Sequence, residues 1–334
     1  MPDLSHPKGL LPVGFVGLGK YLPKKVLTNH DLEKMVDTSD EWIATRTGIR
    51  ERRIVSNGEV TSDLGFHASE AALTQAHLRP EDLELIIVAT ITPDMPFPAT
   101  SCLIQEKLGA KRAACFDISA ACSGFIHAVT VAKQFVASGT YKNALVVGAE
   151  TLSTIVDWKD RNTCVLFGDG AGAAVMAPVS EGGILATYLG SDGGYGELLM
   201  VPGGGARCPT SEKTVREGLH YMKMNGSEVF KVAVRAMTES VERVVRENGL
   251  TMERIVCIIP HQANIRILQA MAERLNYPLS KIYLNLDRYG NMSSASTVTA
   301  LCEAVEEGRV KKGDLIVLVA VGGGLVWGSC LIQW

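Results

Sequence analysis

Three segments of this 334-residue chain carry side chains suited to acyl chemistry. In FDISAACSGFIHA (116–128) a strand-like stretch gives way to small residues and then to an apolar helical pattern, which places Cys122 at or just before a helix N-terminus. Unpaired backbone N–H groups and the helix dipole favour a thiolate at such a place. The small neighbours Ala120, Ala121, Ser123 and Gly124 leave room for a substrate carbonyl, and the sharp turn frees the Cys122 N–H to serve an oxyanion. PHQAN (260–264) follows a buried-strand pattern directly, so His261 falls on a loop, where functional groups are often displayed. YGNMSSAS (289–296) puts Asn291 just ahead of a helix start, and VGGGLVWGS (321–329) offers backbone N–H groups with no side chains to block them. Each segment alone also fits a plain structural role: a small buried Cys, a core His, an Asn cap or turn, a crowded strand contact.

The elements that would position these residues alternate between short β-branched runs and amphipathic helices. Buried strands are expected at 83–91, 143–150, 254–260 and 314–324, and helices at 62–78, 124–139 and 228–249. Strands spaced by helices argue for an α/β protein with buried central sheets. A faint internal repeat adds to this. LRPEDLELIIVATITP (78–93) parallels LTMERIVCIIPHQAN (250–264). CLIQEKLGAKRAACFDISAACSGFIHA is echoed by LQAMAERLNYPLSKIYLNLDRYGNMSSASTVTA, each read as helix, strand and a loop of small residues opening a helix. NALVVGAE (143–150) parallels DLIVLVAVGGG (314–324). Two similar halves, 1–181 carrying Cys122 and 182–334 carrying His261 and Asn291, would bring equivalent loops together. The Gly-rich stretch 181–227 interrupts the pattern and is expected to form turns, a hairpin and an excursion.

Bulk properties exclude other classes. Net charge is −3, without the basic surplus of a nucleic-acid binder. The eight cysteines form no C-x-x-C pair and no zinc spacing, so no metal is expected and a reducing compartment fits. The first twenty residues lack the pattern of a signal peptide, and no apolar run reaches membrane-spanning length, so a cytoplasmic protein without membrane insertion is expected. GFVGLGKY (14–21) has Tyr21 where a phosphate-binding loop needs Ser or Thr, and GDGAGAA (168–174) lacks the context of a dinucleotide site.

Cys122, PHQAN, YGN and GGG in this order, with DTSDEWIATRTGIRER (37–52), FGDGAGAAV (167–175), YGELL (195–199) and EVFKVAV (228–234), resemble the thiolase-like condensing enzymes over nearly the whole chain. Among them the chain is most similar to the β-ketoacyl-acyl-carrier-protein synthase III family. The resemblance implies a five-layered αβαβα sandwich of two similar halves, and an acyltransferase that condenses an acyl-CoA primer with malonyl-acyl carrier protein to start type II fatty acid synthesis. No cofactor beyond these substrates is implied. By resemblance Cys122 is the acylated nucleophile, and His261 and Asn291 hold the extender's thioester carbonyl. The N–H groups of Cys122 and Gly323 form the oxyanion hole. Trp42, Arg46 and Arg161 grip the nucleotide end of coenzyme A, and Asn264 lines the pantetheine tunnel. Lys231, Arg266 and Arg274 face the acyl carrier protein, and Phe97 closes the acyl pocket of a partner in a homodimer. Met292-Ser293-Ser294, Glu273 and Val321 depart from the family's usual residues, and primer preference is not implied. Elongating synthases use a second His where Asn291 stands, and degradative thiolases a second Cys near the Gly-rich loop. A relative in secondary metabolism, using another primer or acceptor, is the alternative.

Overall fold

The computed structural model describes residues 9–56 and 58–334. The expectation of no targeting leader rests largely on residues 1–8, outside the described residues. The first main sheet contains β1 (Val13–Tyr21), β2 (Leu85–Ala89), β3 (Ala114–Ile118), β4 (Ala144–Thr151) and β5 (Asp169–Pro178) in the order β1-β5-β4-β2-β3. The second contains β6 (Gly183–Ser191), β7 (Cys257–Pro260), β8 (Leu315–Gly322) and β9 (Val326–Gln333) in the order β6-β9-β8-β7. The two follow one plan. β1/β5 and β5/β4 are antiparallel and β4/β2 is parallel; β6/β9 and β9/β8 are antiparallel and β8/β7 is parallel.

The helices that matter for function are α1 (Asp40–Thr47), α2 (Thr61–Ala76), α3 (Thr100–Leu108), α4 (Gly124–Ala137), α5 (Gly226–Arg246), α6 (Ile265–Arg274) and α7 (Ser294–Glu306). α4 and α7 touch both sheets and each other. α2 and α3 cover the outer face of the first sheet, and α5, with α6 against it, covers the second. The result is five layers, αβαβα. The central pair explains why α4 and α7 are apolar around most of their circumference: nearly every residue of α7 is buried. Glycine is needed where α7 meets the first sheet. A Cβ on Gly148 of β4 would lie 2.6 Å from the Ser294 carbonyl oxygen.

Two expectations change. Residues 183–191, at the start of the stretch read as turns, a hairpin and an excursion, form edge strand β6; its flanking glycines and mostly part-exposed residues mask the strand in the sequence. The strand expected around 282 is reduced to one bridge, Ile258 to Ile282. Gln262 takes over its backbone partners: Nε2 donates to the carbonyls of Pro260 and Tyr283, and Oε1 accepts the Asn285 N–H. GFVGLGKY and GDGAGAA lie in β1 and at the start of β5. Among the described residues no helix is long and apolar enough to cross a membrane.

Candidate active site

Cys122 lies in a single 3-10 turn, Ala121–Ser123, that runs into α4. Ala121 is held at φ +43°, a left-handed conformation that costs a non-glycine residue roughly 1–2 kcal/mol. Its Cys122 neighbour is 6% exposed. The opposing wall is the β8–β9 hairpin. A Cβ on Gly322 would stand 2.7 Å from the Cys122 nitrogen, 2.8 Å from the Ala120 oxygen and 3.0 Å from the Ser123 nitrogen. Only a glycine lets the hairpin approach the turn this closely. The N–H groups of Cys122 and of the following Gly323 have no hydrogen-bond partner among the described residues. Both residues line the same cavity.

The expectation of a thiolate favoured by the helix dipole meets an opposing effect of burial. Burial pushes the Cys122 thiol up to about 12, assisted by the negative charge of Glu150, and hydrogen bonding from Ser293 only partly offsets it. Burial therefore works against the thiolate that the helix start favours, and the placement of Cys122 beside the Gly322 hairpin carries more of the argument.

His261 continues β7 by one residue. Its N–H donates to the Val319 carbonyl at 2.7 Å, extending the pairing with β8. The ring is buried, Nδ1 has no partner, and desolvation lowers its affinity for a second proton to about 3. The imidazole is neutral at physiological pH and can donate from one nitrogen. Asn291 is fixed at three points. Its N–H donates to Leu166 at 2.8 Å, its carbonyl accepts from Gly168 at 3.0 Å, and Oδ1 accepts the Ser293 N–H at 2.8 Å. The turn role thus belongs to Oδ1, and the cap of α7 is Ser293 rather than Asn291. The Nδ2 donor has no protein partner among the described residues. That leaves the amide N–H free to serve a molecule in the cavity that Asn291 lines.

Cys122, His261 and Asn291 line one cavity with Phe167, Asn264 and Val321. That cavity shares Leu166, Met224, Gly226 and Asn264 with an outer pocket holding Trp42, Arg46 and Arg266. It shares Cys122, Phe167 and Leu199 with a further cavity of about 250 Å³, walled by Ile91, Leu152, Met200, Val201 and Met222. The outer pocket therefore leads inward to the thiol, and the apolar cavity adjoins it there. At the entrance the guanidinium groups of Arg46 and Arg161 lie 4.8 and 5.2 Å from the Trp42 ring centre. Asn264 caps α6, its Oδ1 accepting the Arg266 N–H. Arg266 is exposed at the mouth and Arg274 is exposed two turns further along α6. Lys231, on the adjacent α5, is paired with Glu228 at 2.8 Å. Phe97 is 84% exposed and lies away from these cavities within the chain.

Replacing Gly322 with Ala is expected to lower acyl transfer at least tenfold while the protein stays folded. The methyl group meets three backbone atoms of the nucleophile turn, so that turn must move, and a displacement near 1 Å can cost about 10²-fold. Steady-state rate and thermal midpoint measured together check this; a near-wild-type rate would show that the hairpin contact does not set the turn.

The sequence profile described as 3-Oxoacyl-[acyl-carrier-protein (ACP)] synthase III matches residues 116–193, and the profile for its C-terminal part matches 245–334. The chain is 57% identical to the beta-ketoacyl-[acyl-carrier-protein] synthase III of Caldanaerobacter subterraneus subsp. tengcongensis, over 97% of this chain and 98% of that one. It is 54% identical to the enzyme of that name from Clostridioides difficile, over 96% and 98%. The crystal structure of 3-oxoacyl-[acyl-carrier-protein] synthase III from Aquifex aeolicus superposes with a TM-score of 0.90 at 50% identity, covering 96% of this chain and 100% of that one. With the thiol, the imidazole and the amide gathered at one cavity, these likenesses over nearly the full length establish that the chain belongs to the β-ketoacyl-acyl-carrier-protein synthase III family.

Proposed function

We propose that this chain joins an acyl-CoA primer to malonyl-acyl carrier protein by decarboxylative Claisen condensation, starting type II fatty acid synthesis. The observation that carries this is the pair of adjoining cavities that meet at the Cys122 thiol, one lined by the Gly323 backbone and the other by the neutral side-chain donors His261 and Asn291. In the first half-reaction Cys122 Sγ attacks the primer carbonyl, the N–H groups of Cys122 and Gly323 hold the oxyanion, and coenzyme A leaves. The acyl chain enters the apolar cavity. Trp42, Arg46 and Arg161 would grip the nucleotide end, and Asn264 would line the pantetheine path.

Malonyl-acyl carrier protein then follows the same path, with Arg266, Arg274 and Lys231 facing the carrier. Loss of carbon dioxide leaves an enolate whose oxygen is held by His261 and Asn291, and its carbon attacks the acyl-Cys. Neutral donors suit this dry cavity, because an unpaired buried cation would be costly. No cofactor or metal is required. A cytoplasmic setting is supported by eight cysteines that are all free.

A homodimer is supported by exposed Phe97 and by β3, a half-exposed strand at the open edge of its sheet. Purified protein with a panel of acyl-CoA primers and malonyl-acyl carrier protein should release carbon dioxide only when primer and extender are both present, and should run at the mass of a dimer. No release with any primer would overturn the assignment, and a monomeric mass at micromolar concentration would remove the shared pocket at Phe97.

A further inference from the structure

Asn291 is held by chain that belongs to neither main sheet. Its backbone pairs with Leu166 and Gly168 through a single bridge at Phe167, and residues 165–168 lie between a short helical turn and the start of β5. No ladder extends this bridge on either side, so the position of Asn291 depends on what anchors residues 165–168. That anchor is Arg52. Its side chain is 0% exposed and lines none of the connected cavities. Nη2 donates to the Val165 carbonyl at 2.6 Å, and Nη1 donates to Asn29 Oδ1 at 2.9 Å and to the Leu27 carbonyl at 3.3 Å. The far end is itself fixed. Asn29, also buried, donates from Nδ2 to Asp40 Oδ1 at 2.9 Å, at the start of α1, and to the Ile49 carbonyl at 2.8 Å, just past its end.

The stem packs as closely as the fork bonds. A Cβ on Gly168 would stand 3.0 Å from the Arg52 Cβ, and one on Gly290 would stand 3.5 Å from it. Arg52 therefore abuts both the residue before Asn291 and the residue whose N–H donates to Asn291. Every acceptor that the guanidinium meets is neutral, and among the described residues no carboxylate forms an ion pair with it and Nε has no partner. A buried cation without a counter-charge is costly, and an apolar side chain would fill the same space with a smaller desolvation penalty. What arginine alone supplies is a planar fork that spans acceptors on two segments at a fixed separation.

Resting on the function proposed above, we propose that Arg52 is a positioning residue for the second half-reaction: it clamps residues 165–168 against Asn29 and so sets where the Asn291 amide meets the enolate oxygen. Arg52 touches neither substrate nor reacting atoms and acts only through the backbone pairing of Asn291 with Leu166 and Gly168. The N–H groups of Cys122 and Gly323, which serve the first half-reaction, lie on other segments, the turn before α4 and the β8–β9 hairpin.

The test compares Arg52→Lys and Asn29→Ala with wild type and follows each half-reaction separately: Cys122 acylation by acyl-CoA in a single turnover, and carbon dioxide release at saturating malonyl-acyl carrier protein. Arg52→Lys keeps the charge and much of the stem but cannot span Asn29 and Val165 together. Condensation is expected to fall at least about tenfold, since a misplacement near 1 Å can cost about 10²-fold, while acylation stays within about threefold of wild type. Asn29→Ala frees the far side of the fork and should show the same split in smaller measure; it decides the matter if Arg52→Lys does not fold. Combining Arg52→Lys with Asn291→Ala separates positioning from general loosening. With the amide gone its placement no longer matters, so Arg52→Lys should then add less than about twofold to the loss in condensation. Equal losses in both half-reactions, wild-type condensation in Arg52→Lys, or a loss that multiplies in full on the Asn291→Ala background would each overturn the clamp. A wild-type protein that forms no adduct on Cys122 would instead fail the function on which the clamp rests, and the clamp with it.

Discussion

Cys122→Ser should abolish the acyl-enzyme, and wild-type protein exposed to acyl-CoA should carry one acyl group, mapped to Cys122. The loss in condensation is expected on the order of 10⁴–10⁶-fold, as for removal of other enzymatic nucleophiles. The reason is placement. Seven other thiols are present. Cys164, Cys257, Cys302 and Cys330 are buried, and burial raises all four. Cys102, Cys115 and Cys208 are partly exposed but line none of the connected cavities at the nucleophile. Only Cys122 sits beside two free backbone N–H groups at the end of a path from the surface. A second outcome separates placement from acidity. Because Cys122 is buried and Cys208 is partly exposed, a small general alkylating agent should label Cys208 before Cys122, while acyl-CoA labels Cys122 alone. An adduct on Cys164 or Cys115 would defeat the assignment, and fast alkylation of Cys122 at neutral pH would show that its thiol is acidic after all.

What the chain discloses before folding is uneven, and the unevenness has physical causes. The runs at 83–91, 143–150, 254–260 and 314–324 are buried on both faces, so their apolar continuity marks them; they contain β2, β4, β7 and β8. α2, α4 and α5 begin within two residues of the expected starts at 62, 124 and 228. β6 carries glycine and partly exposed residues at a sheet edge and offers no such signal. That Cys122, His261 and Asn291 share one cavity was legible because each lies at the end of a strand or the start of a helix, and the halves repeat. The buried carboxylate of Glu150 and its donors were not. A lone acid closing the run VVGAE was a usable hint, since an uncompensated charge in a buried strand demands donors, but those donors come from Thr90, Thr92 and Ser294, remote in sequence. The burial of Cys122 was not legible for a related reason: a dipole can be read from local pattern, whereas desolvation depends on everything packed around the turn.

Changing His261 or Asn291 to Ala should collapse decarboxylative condensation by about 10²–10³-fold each, while Cys122 acylation stays measurable. The two half-reactions place charge on different oxygens. The primer oxyanion is served by the N–H groups of Cys122 and Gly323, which neither substitution removes. The extender's enolate oxygen has two donors available, the His261 ring and Asn291 Nδ2, both without protein partners in the resting site. The structure sharpens the expectation for each. Asn291 Oδ1 also holds the Ser293 N–H at 2.8 Å, so Asn291→Ala frees the α7 cap as well as removing the donor, whereas Asn291→Asp keeps that oxygen but replaces the donor with an acceptor that repels the enolate. His261 sits at the end of a paired strand with its backbone tied to Val319, so His261→Ala should leave the loop in place. Because both donors act on one oxygen, the double variant should lose less than the product of the single losses. Acylation kinetics and carbon dioxide release measured on the same preparations decide the matter. A stable Asn291→Ala protein that condenses at the wild-type rate would reduce Asn291 to a turn residue. If His261→Ala instead lost acylation and condensation in equal measure, the imidazole would belong to the first half-reaction rather than to the enolate.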